Sequence, residues 1–292
     1  MAVTLRCAAK LNLYLDVLGP RGDGYHDILT LFQPVDLHDE VTLEKRPAGI
    51  ALAGDDPSIP WDGRNLCHRA AALLFERTGL SGGVDIRVRK RIPAGAGLGG
   101  GSGDAAGVLL GIDALYGLDL GEETLAAAAL EIGSDVPFFV RGRPAIGRGR
   151  GEELEAVEGL RRGWFVVAKP PVNVSTTTAY ASLDFLLTTN MRKAKLSKLL
   201  EGLEVYPDTS LATFNSFERG IARAHEGIRR LLSSMRGAGP DLCSLSGSGA
   251  ACFALFARKE AARRLRDRLR VEGFFAEVTR PTNEAVTILH TE

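Results

Sequence analysis

The N-terminal part of the chain shows the short apolar runs of a β-rich segment. Apolar and small residues dominate 4–18 and again 27–35, and the stretch 19–24 between them is rich in Gly, Pro and Asp. This pattern predicts a strand, a hairpin-like turn and a second strand. Another strand is predicted at 41–44, and apolar residues alternate with charged ones over 84–89, as in a half-exposed strand.

Helical patterns begin after these first strands. Asn65 is a favourable N-cap and apolar residues recur at helical spacing until Gly79, so a helix is predicted between these two residues. Similar patterns predict the other helices, at 103–116, 122–132, 178–187, 195–201, 214–235 and 259–271. Further strands are predicted at 164–168, 251–256, 274–280 and 285–290. Strands and helices mix without regular βαβ units, which favours an α+β fold.

A segment rich in Gly, Arg and Glu at 143–163 separates two patterned halves of the chain. Within it, the glycine-rich string at 147–152 predicts a surface hairpin. A chain of 292 residues has the length of two domains at about 150 residues each. We therefore predict a boundary near 155–163, which divides the chain into domains of 1–158 and 159–292.

Composition and charge narrow the classes of function. The chain is 45% apolar and 25% charged, an ordinary globular composition. Basic and acidic residues each number 36, so no net positive charge attracts nucleic acid or an anionic membrane. No apolar run approaches the ~20 residues that cross a bilayer, and no signal peptide is evident. The four cysteines contain no Cys-x-x-Cys pair, which argues for reduced thiols and against a zinc site. We expect a cytoplasmic protein with no nucleic-acid or membrane partner.

The most informative segment is a glycine-rich loop between a predicted strand and a predicted helix. Six of the nine residues at 95–103 are glycine. Glycine lets the backbone approach a ligand closely, and the N-terminus of the next helix offers free N–H groups, so together they form a phosphate-binding site. The alternative is a tight connection between strand and helix, although such connections usually have only about 2 to 6 residues. The candidate phosphate-binding residues are Pro93, Ala94, Gly95, Ala96, Gly97, Leu98, Gly99, Gly100, Gly101, Ser102 and Gly103.

Three common nucleotide-binding classes do not fit this loop. Gly95, Gly97 and Gly100 match Gly-x-Gly-x-x-Gly, but the preceding strand is half exposed and helix follows helix, unlike a Rossmann unit. The chain lacks the His-Arg-Asp and Asp-Phe-Gly strings of protein kinases. It also lacks the Gly-Lys-Ser/Thr of P-loop proteins. The loop therefore belongs to another class.

Three motifs together resemble those of the GHMP family of small-molecule kinases. They are Ala9-Lys10-Leu11-Asn12, the loop from Pro93 to Ser102, and Ser246-Gly247-Ser248-Gly249-Ala250. The resemblance implies a two-domain α+β fold, with an ATP-binding domain of the ribosomal-protein-S5-domain-2-like type followed by a ferredoxin-like α/β domain. It also implies that ATP and a small-molecule substrate meet in the cleft between the two domains.

Three shorter sequence strings resemble one group of members within this family. They are Arg21-Gly-Asp-Gly-Tyr25-His26, Leu31-Phe32-Gln33 and Ser134-Asp135-Val-Pro137-Phe. They resemble the members that use ATP and Mg to phosphorylate the 2-hydroxyl of a cytidine-diphosphate-linked alcohol, CDP-methylerythritol. The match extends from about residue 5 to 256. Gly103 departs from it, because these members usually have a second serine there.

Two residues are predicted to be catalytic. Phosphoryl transfer to an alcohol needs a proton acceptor and positive charge near the transferred group. Asp135 suits the first role because Pro137 turns the chain away from a continuing helix, although an ordinary N-cap is the alternative. Lys10 lies in an apolar run where an unpaired ammonium is costly, so we predict that it pairs with Asp135. The alternative for Lys10 is an edge-strand lysine that points to solvent.

The remaining candidates are predicted to bind substrates. Asn65 is expected to contact the nucleotide, although its N-cap position needs no ligand to explain it. Tyr25 and Tyr180 are expected to clamp the cytosine from both domains, with His26 hydrogen-bonded to the base edge. The resemblance places the loop at 246–249 beside the acceptor phosphate. A tight turn for this loop and a surface or core cluster for the rings are the alternatives. The candidate acceptor residues are Asn12, Tyr25, His26, Phe32, Thr176, Tyr180, Ser246, Gly247, Ser248 and Gly249.

Two other functions stay open at this stage. One is a GHMP kinase for another alcohol, such as homoserine or mevalonate, and the other is a non-catalytic paralogue that binds nucleotide. Tyr25, His26 and the string at 135–138 argue against the first, because acceptor specificity depends on site residues rather than on the fold. The intact Lys10 and Asp135 argue against the second. A monomer or a homodimer is expected.

Overall fold

Two β-sheets and the helices packed against them make up the structure. The computed structural model describes residues 2–181, 183 and 190–291. Within this part of the chain, one sheet has seven strands and the other has four. Helices and strands are mixed along the chain, as in the predicted α+β fold. None of the described helices is long and apolar enough to cross a membrane.

The elements are numbered along the chain. The first ten are β1 (Ala2–Pro20), β2 (His26–Arg46), β3 (Gly49–Gly54), α1 (Leu66–Thr78), β4 (Gly83–Arg89), α2 (Gly100–Tyr116), α3 (Glu122–Ile132), α4 (Val136–Arg141), β5 (Ala145–Arg148) and β6 (Glu153–Ala156). The others are β7 (Trp164–Lys169), α5 (Thr176–Ala181), α6 (Asn190–Val205), α7 (Glu218–Ala224), α8 (Glu226–Arg236), β8 (Leu242–Leu245), β9 (Cys252–Phe256), α9 (Lys259–Val271), β10 (Phe275–Thr279) and β11 (Val286–Thr291).

The larger sheet is built on the long antiparallel hairpin of β1 and β2. Its strand order is β11-β1-β2-β4-β3, and the hairpin of β5 and β6 is attached through β2. The pairing of β5 with β6 confirms the hairpin predicted at 147–152. β11 pairs with residues 3–7 of β1, so that part of β1 lies inside the sheet. Further along β1, the amide of Lys10 donates to Leu98 O, and at 4% exposure its side chain does not point to solvent. The alternative of a solvent-facing edge lysine is therefore wrong.

The smaller sheet has the order β10-β7-β9-β8, and its neighbouring strands are antiparallel. Helices separate β7 from β8 and β9 from β10, which is the βαββαβ arrangement of a ferredoxin-like fold. The last strand, β11, leaves this unit and joins the larger sheet. The division at 158 and 159 stays a prediction, and 286–291 pair with the N-terminal sheet.

Several predicted elements differ from the observed ones. The predicted helix 214–235 is two helices, α7 and α8, because His225 between them has an extended backbone (φ −124°, ψ 101°). The strand predicted at 41–44 is the end of β2, which continues through the whole second half of the hairpin. The helix predicted at 178–187 is observed as α5, and residues 182 and 184–187 lie outside the described residues.

Helix α2 packs against the hairpin through glycines. A Cβ atom at Gly107 would lie 2.4 Å from the Sγ of Cys7 on β1, and one at Gly111 would lie 2.5 Å from the Cδ1 of Leu43 on β2. The helix therefore lies closer to the sheet than side chains would allow, and this contact fixes the position of its N-terminus.

Gly107→Ala is expected to lower the free energy of unfolding by about 1 to 3 kcal/mol, because the added methyl group overpacks the contact with Cys7. Gly101→Ala, in the same helix, is the matched control, since the nearest atom to its Cβ would be Leu66 Cδ1 at 3.9 Å. Urea denaturation of both variants measures the difference. Equal stability of the two variants would contradict the close packing of α2.

Candidate active site

The glycine-rich loop connects β4 to α2. Gly95, Gly97 and Gly99 have positive φ angles of 61°, 76° and 74°, a region that side chains disfavour. Gly99 is the N-cap of α2, and the helical hydrogen bonds begin with Gly103 N donating to Gly99 O at 2.8 Å. The amides of Gly100, Gly101 and Ser102 come before this bond and are the donors of a helix N-terminus.

Two distant segments hold this loop in place. The amide of Lys10 on β1 donates to Leu98 O at 2.9 Å, and the amide of Ala251 donates to Ala96 O at 3.0 Å. The hydroxyl of Ser246 donates to Gly97 O at 3.1 Å. A Cβ atom at Gly97 would lie only 2.4 Å from Ser246 O, so this contact requires glycine. The loop is therefore fixed against both halves of the chain.

Two cavities meet at the loop. One, of about 360 Å³, lies between the loop and the segment before α1, and Asn65 and residues 93–102 line it. The other, of about 660 Å³, lies on the opposite side and reaches the smaller sheet. Gly95, Gly97 and Gly99 line both cavities. The two cavities therefore adjoin each other at these glycines.

Lys10 and Asp135 lie in the larger cavity beside the shared glycines. The Nζ of Lys10 is 3.5 Å from the Oδ2 of Asp135, as predicted. It also donates to the Oδ1 of Asn12 at 2.7 Å, and its exposed fraction is only 5% against 36% for the Asp135 side chain. The ammonium is thus buried with two acceptors, whereas the carboxylate opens into the cavity.

Asp135 stands at the N-cap position of α4 but does not cap that helix. Its backbone is helical (φ −84°, ψ −16°) and its side chain makes no cap hydrogen bond. Pro137 occupies the first turn of α4, where its missing amide costs nothing. Asp135 therefore occupies the N-cap position, but its side chain faces Lys10 and does not cap the helix.

Asn12 is oriented by a chain of buried hydrogen bonds. Its Nδ2 donates to the Oγ1 of Thr30 at 2.8 Å, and that hydroxyl donates to Tyr14 O at 2.7 Å. The amide oxygen of Asn12 is therefore directed at Lys10 Nζ. This arrangement keeps the ammonium in place whether or not Asp135 changes its charge.

Aromatic rings gather at the far end of the larger cavity. His26 stacks on Tyr180, with ring centroids 4.5 Å apart, and Tyr180 meets Phe217 edge to face at 4.9 Å. Burial raises the pKa of Tyr180, and the nearby negative charge of Asp135 adds to the effect. Tyr25 lies on the same cavity with 53% of its surface exposed. In this structure His26, rather than Tyr25, lies against Tyr180.

Some of the other candidate residues line the larger cavity and others do not. Phe32, Thr176 and residues 247–249 line the larger cavity. Ser246 is fully buried and does not line it, because its hydroxyl is directed at the glycine loop. Gly103 lines neither cavity and is buried in α2. Asn65 lines the smaller cavity and also caps α1, since its Oδ1 accepts from Cys67 N at 2.9 Å.

Sequence patterns did not reveal a buried cluster of charged residues beneath the loop. The Nζ of Lys90 contacts Asp39 and lies 2.6 Å from the Oδ2 of Asp104. Asp39 also accepts from the amides of Arg91 at 2.6 Å and Ile92 at 2.8 Å. Burial by itself lowers the pKa of Lys90, but the two carboxylates outweigh this and raise it. Lys90 therefore stays charged and joins β2, the start of the loop and α2.

Arg150 is a second residue that the sequence analysis did not assign to the site. It lies in the turn between β5 and β6, where the string 147–152 indicated only a surface hairpin. Its guanidinium carbon is 4.7 Å from the centre of the Tyr25 ring, and it lines the larger cavity. The hairpin of β5 and β6 thus reaches the turn between β1 and β2. Local sequence patterns do not reveal this contact.

Comparison with known proteins identifies the family. The model of the GHMP kinases N terminal domain matches residues 65–143, and that of the GHMP kinases C terminal domain matches 199–273. A 4-diphosphocytidyl-2-C-methyl-D-erythritol kinase from Symbiobacterium thermophilum is 41% identical and covers 91% of this chain and 95% of its own. Another with that name, from Geobacter sulfurreducens, is 38% identical over 95% of this chain and 98% of its own.

Solved structures agree with this result. A crystal structure of 4-(cytidine 5'-diphospho)-2C-methyl-D-erythritol kinase is 36% identical, covers 94% of this chain and 98% of its own, and has a TM-score of 0.80. A homoserine kinase from Cytophaga hutchinsonii has a TM-score of 0.79 at 21% identity, over 99% of this chain and 97% of its own, so that likeness shows the fold alone.

Fold and site together define a small-molecule kinase of the GHMP class, with the predicted two-domain α+β fold. Within that class, the chain belongs to the family of 4-diphosphocytidyl-2-C-methyl-D-erythritol kinases. The resemblance seen in the sequence is thereby confirmed.

Lys90→Met is expected to lower the free energy of unfolding by about 3 to 5 kcal/mol, because Asp39 and Asp104 would remain buried without a cation. Lys45→Met is the control, since Lys45 is exposed and its ammonium lies 4.6 Å from the centre of the Tyr116 ring, so a loss of at most about 1 kcal/mol is expected. Denaturant unfolding measures both. Similar losses in the two variants would show that Lys90 does not support the loop.

Proposed function

We propose that this protein transfers the γ-phosphoryl group of ATP to the 2-hydroxyl of 4-diphosphocytidyl-2-C-methyl-D-erythritol, which yields the 2-phosphate and ADP in the non-mevalonate route to isoprenoid precursors. The observation that carries the proposal is the position of the Lys10 and Asp135 pair, in the larger cavity beside the glycines that both cavities share. Family membership supports the choice of acceptor.

The smaller cavity suits the nucleotide. Residues 93–102 line it, and they include the first residues of α2. Backbone amides and the positive end of the helix favour phosphate there. Asn65 and Trp61 line the same cavity, and they are the side chains proposed to contact the base and ribose. The γ-phosphate would then lie near Gly97 and Gly99, next to the acceptor cavity.

Asp135 is the proposed proton acceptor. The acceptor hydroxyl loses its proton to the carboxylate as its oxygen attacks the γ-phosphorus, and the bond from that phosphorus to the bridging oxygen of ADP breaks. The ammonium of Lys10 faces the carboxylate and balances negative charge that develops on the transferred group. Because Asn12 also holds Lys10, the ammonium stays in position when Asp135 becomes neutral.

Magnesium is proposed as the metal that accompanies ATP. Among the described residues, no three His, Cys, Asp or Glu side chains cluster as a metal site. This fits Mg²⁺, which keeps several waters and is held mainly by substrate phosphates with one or two carboxylates. Its chemistry would be to neutralise charge on the phosphates. Asp135 is the carboxylate within the cavity beside the proposed phosphate position.

The acceptor cavity suits a ligand with an aromatic base. At about 660 Å³ it is larger than a small alcohol such as homoserine or mevalonate needs. The stacked His26 and Tyr180 form one flat wall, and Tyr25 with Arg150 forms another part of the rim. A cytosine stacked on such rings gains about 1 to 3 kcal/mol per contact. We propose that residues 247–249 bind the phosphates of this acceptor.

A reducing compartment is also proposed, in line with a cytoplasmic enzyme. The four cysteines are free thiols, and Cys7, Cys67 and Cys252 are buried. Burial raises the pKa of Cys7 well above its usual range, so it is an unreactive thiol. Structural disulfides, which are common in oxidising compartments, are not needed here.

Asp135→Asn and Lys10→Met are each expected to lower kcat about 10²-fold or more, because the first removes the proton acceptor and the second its partner charge. The KM for ATP should change little, since neither residue lines the nucleotide cavity. Steady-state ADP release measures both parameters. Asp208→Asn, an exposed and distant variant, should keep normal turnover. Normal turnover of Asp135→Asn would remove Asp135 from the catalytic role.

Tyr25→Ala is expected to raise the KM for the CDP-linked acceptor about tenfold, since ~1.4 kcal/mol of lost stacking corresponds to one decade. Tyr25→Phe keeps the ring and should retain a KM near that of the unmodified enzyme. Because Tyr25 is exposed, we do not expect either substitution to disturb the fold. Equal use of methylerythritol phosphate, which has no base, would contradict recognition through cytosine.

A further inference from the structure

A third cavity, of about 550 Å³, lies away from both substrate cavities. It is formed where residues 36–37 of β2 and Arg91 meet the smaller sheet and α9. Backbone contacts close this junction, since Asp36 N donates to Arg280 O at 2.9 Å. The cavity therefore has walls from both sheets, and none of its lining residues lines a substrate cavity.

Basic residues outnumber acidic ones in this cavity. Arg91, Lys259, Arg263 and Arg280 line it, and among the described residues none of the four forms an ion pair. Two acidic residues, Asp36 and Glu277, also line it, and Glu277 pairs with Arg270. A fifth cation, Arg266, is neutralised by Asp267 at 2.7 Å.

An aromatic ring faces these charges. The ring of Trp164 lies 4.5 Å from the ammonium of Lys259 and 5.6 Å from the guanidinium carbon of Arg280, so it contacts two of the cations.

We propose that this cavity is a binding site for a small molecule that carries a diphosphate group. Four unpaired cations around one concave site attract a polyanion, and a phosphate monoester with about two negative charges would leave much of this charge unbalanced. Guanidinium groups bind phosphate oxygens in pairs, which suits the three arginines of this cavity. The concave shape and zero net charge of the chain favour a small ligand over an extended nucleic acid or membrane surface.

Arg91 connects the third cavity to the segment that begins the glycine loop. Arg91 stands between Lys90 and Ile92, which both line the nucleotide cavity, while its own side chain lines the third cavity. Its amide is held by the carboxylate of Asp39 at 2.6 Å. A diphosphate bound at Arg91 therefore acts on the same short segment that begins the glycine loop.

Tryptophan fluorescence tests the proposal without turnover. Trp61→Phe removes the other tryptophan of the chain, which lines the nucleotide cavity, so that Trp164 alone reports on the third cavity. Inorganic pyrophosphate is titrated at low ionic strength, with orthophosphate in parallel. A saturable change with pyrophosphate below about 1 mM, and at least tenfold weaker binding of orthophosphate, are expected. No saturation with pyrophosphate, or equal binding of the two, would overturn the proposal.

Variants of α9 supply the matched control. Arg263→Glu, at a residue that lines the cavity, is expected to weaken pyrophosphate binding at least tenfold, whereas Arg264→Glu, at the next residue, which does not line the cavity, should leave it within about twofold. Equal losses from Arg263→Glu and Arg264→Glu would show that net charge, not this site, attracts the anion.

Titration with CDP and with a short alkyl diphosphate separates the sources of a diphosphate. Tighter binding of one of them than of pyrophosphate would identify a nucleotide or an alkyl ligand, and equal binding of all three would show that the diphosphate alone is recognised. Because Trp164 emission is measured in the absence of turnover, these results are independent of the proposed kinase reaction.

Discussion

The glycine loop is packed so closely between two backbones that side chains are excluded, and both cavities depend on this contact. Gly97 lies against Ser246 O, and Leu98 O accepts the amide of Lys10. These contacts place the loop beside Lys10 and Asp135 and, through Ser246, beside the 247–249 turn. The same backbone therefore lines both the smaller and the larger cavity. In the proposed reaction, this shared backbone is the boundary between the two ligands.

Two buried lysines lie near the loop, and their partners give them different properties. Lys90 is held between two buried carboxylates, so its charge is neutralised and its contribution is to hold β2, the loop and α2 together. Lys10 has one neutral amide partner and one carboxylate that opens into the cavity. Its carboxylate partner is therefore shared with the cavity, which suits the role proposed for Lys10 beside a phosphoryl group. The two lysines thus differ in how fully the protein itself pairs them.

Sequence patterns identified the elements whose signals are local. The helix between Asn65 and Gly79 and the helix at 259–271 have clear ends and periodic apolar residues, and both are observed at those positions. The break at His225 was missed, because α7 and α8 form one continuous helical pattern and only an extended residue separates them. Lys90 was missed because a charged residue after an alternating strand looks like an exposed one. Its burial arises from Asp39 and Asp104, which are 51 and 14 residues away in the chain.

The sequence by itself determined the class of chemistry, because the glycine-rich loop and the motifs around Lys10 and Asp135 require particular residue types at short spacing. It also determined the α+β composition, since apolar periodicity is a property of neighbouring residues. Only the tertiary structure decided that Asp135 faces Lys10 instead of capping α4, that Arg150 reaches Tyr25, and that Lys259 and Arg280 lie against Trp164. Each of these contacts joins residues far apart in the chain, and their distances are set by the packing of whole strands and helices rather than by local sequence.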